Sequence, residues 1–271
     1  MGIVGRSIVT LLPLAPRFVV RWVAKRYVAG ETLDQAIAVM SRISPEGACF
    51  TVDFLGEEIR TLEETRFFIN EYEKALDAIV ENSLDANISI KPTAFGLLIN
   101  REAALDNIER IVSKASENDI FVRLDMEDSR VTQSTIDVLL SIHDRGYRNV
   151  GIAIQGRLNR TVDDINMICD QIGNHSDYRV CKGIYLESKE IAKTGYREIV
   201  NSTNDAVDVA IRRGSYVAIA SHDDPVIKHS LQSIISAGMG PEKSDPRPNP
   251  PLARSGKGNG YEFQFLLGVR G

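Results

Sequence analysis

Residues 178–185 read YRVCKGIY, an apolar run that carries Arg179 near its start and ends around Lys182 and Gly183. Six further short apolar runs also contain or end on a polar residue, and helix-like stretches separate them. Near-continuous apolar runs are typical of strands in a parallel sheet that is covered on both faces. The seven predicted strands are residues 49–54, 87–91, 120–125, 149–155, 178–185, 215–222 and 261–267.

The spacing of these strands predicts an α/β fold, a (β/α)8 barrel of the TIM type. Successive strand ends lie roughly 30 to 40 residues apart, which is the length of one βα unit. Seven strands are recognisable where a closed barrel has eight, so the eighth βα unit is expected to be missing. An open doubly wound sheet is the alternative, but the Gly-x-Gly-x-x-Gly turn of its nucleotide-binding form does not follow the first strand.

The composition narrows the classes of function. A chain of 271 residues that is 43% hydrophobic is long enough for one barrel domain. Its three cysteines are widely spaced and odd in number, which indicates a reducing, cytoplasmic location rather than a disulfide framework. The four histidines lack metal-ligand spacing, so no metal site is expected. A net charge of −5 argues against nucleic acid as a partner.

Two segments differ from the barrel pattern. Residues 1–30 carry five basic side chains and no acidic one, and are predicted to lie in a helical arm, residues 1–45, ahead of a barrel domain, residues 46–271. The apolar stripe of this arm, which includes Trp22, either packs on the barrel or makes the protein peripheral at the inner face of a membrane. Residues 240–260, rich in Pro, Gly and Ser, are predicted to form an exposed, disordered loop.

Helix-capping residues mark where the helices between the strands begin. Thr32 with Gln35 and Thr61 with Glu64 match the capping-box pattern. Further N-caps are predicted at three positions, namely Asn100, Thr132 and Thr161.

Three polar residues at the ends of predicted strands are candidates for a site at the barrel mouth. Lys91 could bind a substrate carboxylate, form a Schiff base, or pair with Asp125 for stability. Asp125 is either a helix N-cap or a charged wall residue facing Lys91. Gln155 follows three apolar residues, so its amide needs hydrogen-bond partners, which a flavin ring edge or the neighbouring backbone can supply.

The last two predicted sites lie on strands five and six. Arg179 and Lys182 are costly to bury unpaired, so an anionic or electron-rich partner is expected beside them. Gly183 permits a close approach of a ligand to the backbone. Ser221 and His222 precede a helix, whose first amide groups can hold a phosphate. A simple N-cap role for Ser221 or Asp223 is the alternative.

Together these stretches resemble the proline dehydrogenase family, which comprises (β/α)8-barrel flavoenzymes. The most specific stretches are RLDME at 123–127, RVCKGIY at 179–185, ASHD at 220–223 and YEFQ at 261–264. The resemblance implies oxidation of L-proline to 1-pyrroline-5-carboxylate, the first step of proline catabolism to glutamate, with reduction of non-covalently bound FAD. It also implies transfer of electrons to a membrane quinone, and a pyrroline-5-carboxylate dehydrogenase as a partner.

The resemblance also implies roles for single residues. Arg179, beside flavin N5, and Asp125, in the substrate pocket, match catalytic positions, and Lys91 looks like the lysine that binds the proline carboxylate. Tyr185 and Leu266 match the wall around the proline ring. The positions that match FAD contacts are Met126, Gln155, Arg179, Lys182, Gly183, Ile184, Ser221 and His222.

The sequence departs from the family near its C-terminus. Family members continue into a helix with a Tyr…Arg-Arg…Glu motif, whose arginines bind the substrate carboxylate, and this motif does not follow residue 267 here. Weaker proline binding is therefore expected. Two other functions stay open: a non-catalytic flavin- or proline-binding barrel, and an aldolase-like enzyme that forms a Schiff base on Lys91 or Lys182.

Overall fold

The structure, a computed structural model, describes residues 28–56, 59–239 and 260–269. Most of the predicted basic segment, residues 1–27, and of the predicted loop, residues 240–259, lies outside these ranges. The described part of the N-terminal arm contains one helix, α1 (Leu33–Ile43).

Seven parallel strands form one curled sheet, and their order in the sheet equals their order in the chain. This arrangement confirms the predicted barrel-type α/β fold, because each strand returns to its neighbour through a helix. The strands are β1 (Phe50–Asp53), β2 (Ala86–Ile90), β3 (Val122–Leu124), β4 (Val150–Gln155), β5 (Asp177–Cys181), β6 (Tyr216–Ala220) and β7 (Tyr261–Gln264).

One long helix follows each of the strands β1 to β6. Within the described ranges, no helix is both long enough and apolar enough to cross a membrane. The helices are α2 (Thr65–Glu81), α3 (Arg101–Ser116), α4 (Thr132–Asp144), α5 (Thr161–Ile172), α6 (Tyr196–Arg212) and α7 (Asp224–Ser236).

Two of the predicted caps begin their helices as expected. The Thr32 hydroxyl accepts from the backbone N–H of Gln35 at 3.4 Å, and the Asn100 side chain accepts from the N–H of Ala103 at 3.0 Å. Thr61 precedes a short 3₁₀ turn instead, and its side chain makes no capping hydrogen bond.

The caps predicted at Thr132 and Thr161 are wrong by one residue, since both threonines are already helical. Their hydroxyls donate backwards, from Thr132 to the carbonyl of Asp128 at 3.3 Å and from Thr161 to that of Gln155 at 2.5 Å. Each of these hydroxyls therefore links the first residue of its helix to the turn that precedes the helix.

The apolar core lies between the outer face of the sheet and the helices. Ile88, Ile90, Val122 and Leu124 on β2 and β3 are fully buried in it. Each such side chain stabilises the fold by about 1.5–3 kcal/mol relative to exposure. The alternate residues of the strands face the barrel interior, where several of them are polar.

A buried ion pair crosses the interior at the amino ends of the strands. The guanidinium of Arg123 on β3 reaches over β4 to Asp177 on β5, with 2.6 Å between Nη2 and Oδ1. Gly151 on β4 leaves the room, because a Cβ there would lie 2.6 Å from Arg123 Nη1. Each charge is fully desolvated, so each depends on the other.

Candidate active site

The carboxyl ends of the strands bring polar side chains from four strands together at one mouth. Asp53 ends β1, Lys91 and Asp125 directly follow β2 and β3, and Arg179 lies in β5. Neighbouring parallel strands in sequence order place these ends on the same side of the sheet. Three predicted site residues, Lys91, Asp125 and Arg179, lie together at this mouth.

Asp125 is the central acceptor of this mouth. Its Oδ1 accepts from Arg179 Nη1 at 2.7 Å and from the hydroxyl of Ser89 at 2.6 Å. Arg179 Nη1 also lies 2.8 Å from the Ser89 hydroxyl, which closes a triangle. The alternative role of Asp125 as a helix N-cap does not hold, because α4 begins only at Thr132.

Lys91 forms its shorter ion pair with a different acid from the one expected. Its ammonium lies 2.6 Å from Asp53 Oδ2 and 3.6 Å from Asp125 Oδ2. The expected pair with Asp125 is therefore secondary. Schiff-base chemistry needs a neutral amine without such partners, whereas Lys91 forms ion pairs with two carboxylates.

Arg179 forms hydrogen bonds on both sides of the mouth. Opposite its contact with Asp125, its Nε donates to the side-chain oxygen of Gln264 on β7 at 2.6 Å. Burial lowers the pKa of Arg179, and the negative charge of Asp125 counteracts this. A guanidinium remains charged in proteins, so Arg179 presents a fixed cation at the mouth.

Gln155 at the end of β4 has an unused acceptor. Its amide nitrogen donates to the backbone carbonyls of Glu127 at 2.7 Å and Met126 at 3.2 Å, which fixes the loop after β3. Its Oε1 is buried and has no hydrogen-bond partner within the described ranges. Gly183 has a φ of +92°, and a Cβ on it would lie 2.5 Å from this oxygen.

The other residues predicted to bind a cofactor lie after β5 and β6. Lys182 forms an ion pair with Asp223 at 2.5 Å. The hydroxyl of Ser221 accepts from the backbone N–H of Asp223 at 3.1 Å, so it holds the turn before α7. His222 Nε2 accepts from the backbone N–H of Leu266 at 3.0 Å, which connects the β6 and β7 ends.

Large apolar side chains surround the mouth and face solvent. Ile184 is 83% exposed and Leu266 is 73% exposed. Tyr185 lies in the same loop as Ile184, and its backbone carbonyl accepts from Nη1 of the buried Arg157 at 2.6 Å. Exposed apolar groups of this size, close to convergent polar groups, are typical of a ligand-binding surface.

Sequence reasoning noted some of the mouth residues without assigning them a role, and it missed others. Asp53 and Gln264 lie in the predicted strands 49–54 and 261–267 and end β1 and β7, so the pattern of polar strand ends could have found them. Ser89 lies inside a strand and Tyr72 on a helix face, and no local pattern marks either one. The position of Tyr72 follows from the packing of α2 against the sheet, and that of Ser89 from the register of β2 with its neighbours.

Comparison with known proteins fits this arrangement. The family described as Proline dehydrogenase matches residues 36–240. Proline dehydrogenase 1 of Bacillus subtilis subsp. natto is 31% identical over 261 residues, which cover 96% of this chain and 80% of that protein. The chain belongs to the proline dehydrogenase family. By family it is an oxidoreductase of proline catabolism.

A further proline dehydrogenase and a solved structure are also similar to this chain. The Deinococcus radiodurans proline dehydrogenase is 26% identical over 91% of this chain and 74% of its own length. The crystal structure of proline utilization A (PutA) from Bdellovibrio bacteriovorus, inactivated by N-propargylglycine, superposes with a TM-score of 0.76 at 19% identity. That match covers 90% of this chain but only 28% of the PutA chain, and it shows the shared barrel-type fold.

Proposed function

We propose that this chain oxidises L-proline to 1-pyrroline-5-carboxylate with FAD as its cofactor. One observation carries the proposal: Lys91, Asp125 and Arg179 converge at one mouth as two cations flanking a carboxylate. A zwitterionic substrate has the complementary charges, and family membership makes proline the substrate of choice.

The side chains present suit a flavin. The unpaired buried Oε1 of Gln155 can accept from a ring N–H, and Gly183 lets the backbone after β5 pack closely beside this oxygen. When bound, FAD would accept the hydride removed from the proline carbon next to the nitrogen, and the proton that the amine must lose would pass to solvent. The proposed contacts to it are Met126, Gln155, Arg179, Lys182, Gly183, Ile184, Ser221 and His222.

The chain's own residues supply orientation and charge. Lys91 binds the proline carboxylate, and Tyr185 and Leu266 enclose the ring, so that the reacting carbon is held in one orientation. Arg179, fixed by Asp125 and Gln264, provides a preorganised positive charge where negative charge develops. Asp125 faces the cationic amine of the substrate.

The proposal includes the later fate of the electrons and of the product. A membrane quinone accepts the electrons, and the basic residues among 1–30 support a peripheral, cytoplasmic-side membrane contact. A pyrroline-5-carboxylate dehydrogenase takes up the product. Family resemblance supports both steps.

The visible spectrum tests the proposed function directly. Purified protein reconstituted with FAD should show a flavin band that bleaches on anaerobic addition of L-proline but persists with D-proline. Dithionite should bleach the same band in both samples. A protein that binds no flavin contradicts the cofactor assignment, and a band that L-proline leaves unchanged contradicts the reaction.

A further inference from the structure

We propose that Asp53 is a positioning residue that holds the Lys91 ammonium on the β1 side of the mouth and thereby sets the affinity for the substrate carboxylate. The inference rests on the proposed function for its substrate, whereas the contact itself is seen in the structure. Asp53 acts through Lys91 and is not assigned a contact with the reacting atoms.

The register of the strands makes this contact unexpected. Ile90 on β2 is paired with Leu124 on β3, so the following residues, Lys91 and Asp125, are lateral neighbours. Asp53 is instead paired with Ser89 and lies diagonally from Lys91. Geometry of the backbone alone would therefore place the ammonium beside Asp125.

Competition at Asp125 explains why the Lys91 ammonium lies closer to Asp53. Asp125 Oδ1 already accepts from Arg179 and from Ser89, at 2.7 and 2.6 Å. Lys91 remains 3.6 Å from Asp125 Oδ2 but approaches Asp53 to 2.6 Å. The two cations thus have separate principal acids, Arg179 with Asp125 and Lys91 with Asp53.

Tyr72 of α2 holds Asp53 from behind. The Tyr72 hydroxyl donates to the backbone carbonyl of Ser89 at 2.6 Å and also lies 3.3 Å from Asp53 Oδ1. The backbone N–H of Phe54 donates to the same hydroxyl at 3.3 Å. These contacts tie Asp53, through a buried ring, to β2, the strand that carries Lys91.

The Asp53–Lys91 contact should affect the binding of the substrate more than the rate of the chemical step. A lysine ammonium has three donors, so it can bind Asp53 and a substrate carboxylate at the same time if its position is fixed. Without the Asp53 charge, the Lys91 ammonium should shift towards Asp125, away from the place where Asp53 holds it. The affinity for proline should then fall, while Arg179 and its contacts are unaffected.

The test compares the wild type with Asp53→Asn and Asp53→Glu in the FAD-loaded protein. Asp53→Asn should raise KM for L-proline about fivefold with kcat within about twofold of wild type, because one partly exposed ion pair is lost. Asp53→Glu restores the charge and should recover at least half of the loss. Asp77→Asn, which removes the acid from the Lys114–Asp77 pair on the helix surface, should change neither value.

A second readout does not depend on turnover. Trace acetylation followed by peptide mass spectrometry measures the reactivity of Lys91, with Lys114 as an internal standard. Asp53→Asn removes the carboxylate of the shorter ion pair, so the Lys91 amine should be acetylated about fivefold faster. Unchanged Lys91 labelling overturns the proposal, whatever the kinetics show.

The remaining outcomes separate the inference from the proposed function. A fall in kcat at unchanged KM would overturn the positioning role, since it would place Asp53 in the chemistry. A wild-type protein that does not oxidise proline overturns the proposed function and the substrate part of this inference. Faster Lys91 labelling in Asp53→Asn would then still support the Asp53–Lys91 contact.

Discussion

The guanidinium of Arg179 donates to the carboxylate of Asp125 at 2.7 Å, although the two residues lie 54 positions apart in the chain. One lies inside β5 and the other directly follows β3, so β4 separates their strands. Only the curl of the sheet lets the side chains meet across the interior. This contact fixes a positive charge at the place where the proposed reaction needs it.

Arg179→Lys keeps the charge but removes the planar fork that contacts both Asp125 and Gln264. The point charge of lysine cannot make both contacts in the same geometry, so kcat for L-proline should fall about 100-fold. Steady-state kinetics with a dye acceptor measure the effect. Arg110→Lys, at an exposed pair with Glu73, is the matched control. Turnover within threefold of wild type would contradict the role of Arg179.

Gly183→Ala should reduce the amount of FAD that copurifies with the protein. Its Cβ would lie 2.5 Å from Gln155 Oε1, the acceptor proposed for the flavin ring. Gly146→Ala is the control, because Gly146 also has a positive φ, +98°, but a Cβ there meets nothing within 4 Å. Both variants incur about 1–2 kcal/mol of backbone strain, and only Gly183→Ala should lose flavin. Equal flavin content in the two variants would count against the site.

Asp177→Ala should strongly destabilise the fold, by about 3–5 kcal/mol, because it leaves the buried Arg123 guanidinium without its carboxylate and with only the backbone carbonyl of residue 177. Urea denaturation followed by circular dichroism gives the free energy of unfolding. The control Asp77→Ala removes an exposed partner of Lys114, and should cost less than about 1 kcal/mol. Similar losses in both variants would show that the internal pair is not desolvated as described.

His143 should make the stability depend on pH. Burial lowers the pKa of His143 to about 4, and its Nε2 lies 3.1 Å from the carbonyl of Val150. In the unfolded chain the ring takes up its proton near pH 6.5, so the unfolded state binds more protons between pH 6.5 and 4. The stability contributed by the neutral ring is present above pH 6.5 and is lost as the pH falls towards 4.

When the pH is lowered from 7 to 5, His143 alone should reduce the free energy of unfolding by about 2 kcal/mol. Denaturation of the wild type and of His143→Gln at both pH values isolates the effect, because glutamine can donate to Val150 without titrating. If lowering the pH reduces the free energy of unfolding of His143→Gln as much as that of the wild type, groups other than His143 cause the pH dependence.

The sequence by itself determined the seven strands and their parallel order. Strands such as 149–155 and 178–185 are recognisable from local composition, since burial of both faces requires apolar residues throughout. The strand ends also located the mouth, because a polar residue that ends an apolar run is costly to bury unless it meets a partner there. Helix starts at Thr132 and Thr161 were one residue off, since a hydroxyl caps or donates backwards depending on its surroundings.

Only the tertiary structure decided which charges pair at the mouth. Lys91 lies closer to Asp53 than to Asp125 because Asp125 already accepts hydrogen bonds from Arg179 and Ser89. These groups come from distant parts of the chain. Tyr72 is connected to this network only because α2 packs against the start of the sheet. Ion-pair partners are set by distances in three dimensions, whereas the apolar strand runs are a local feature of the sequence, because a sheet covered on both faces buries most of its side chains.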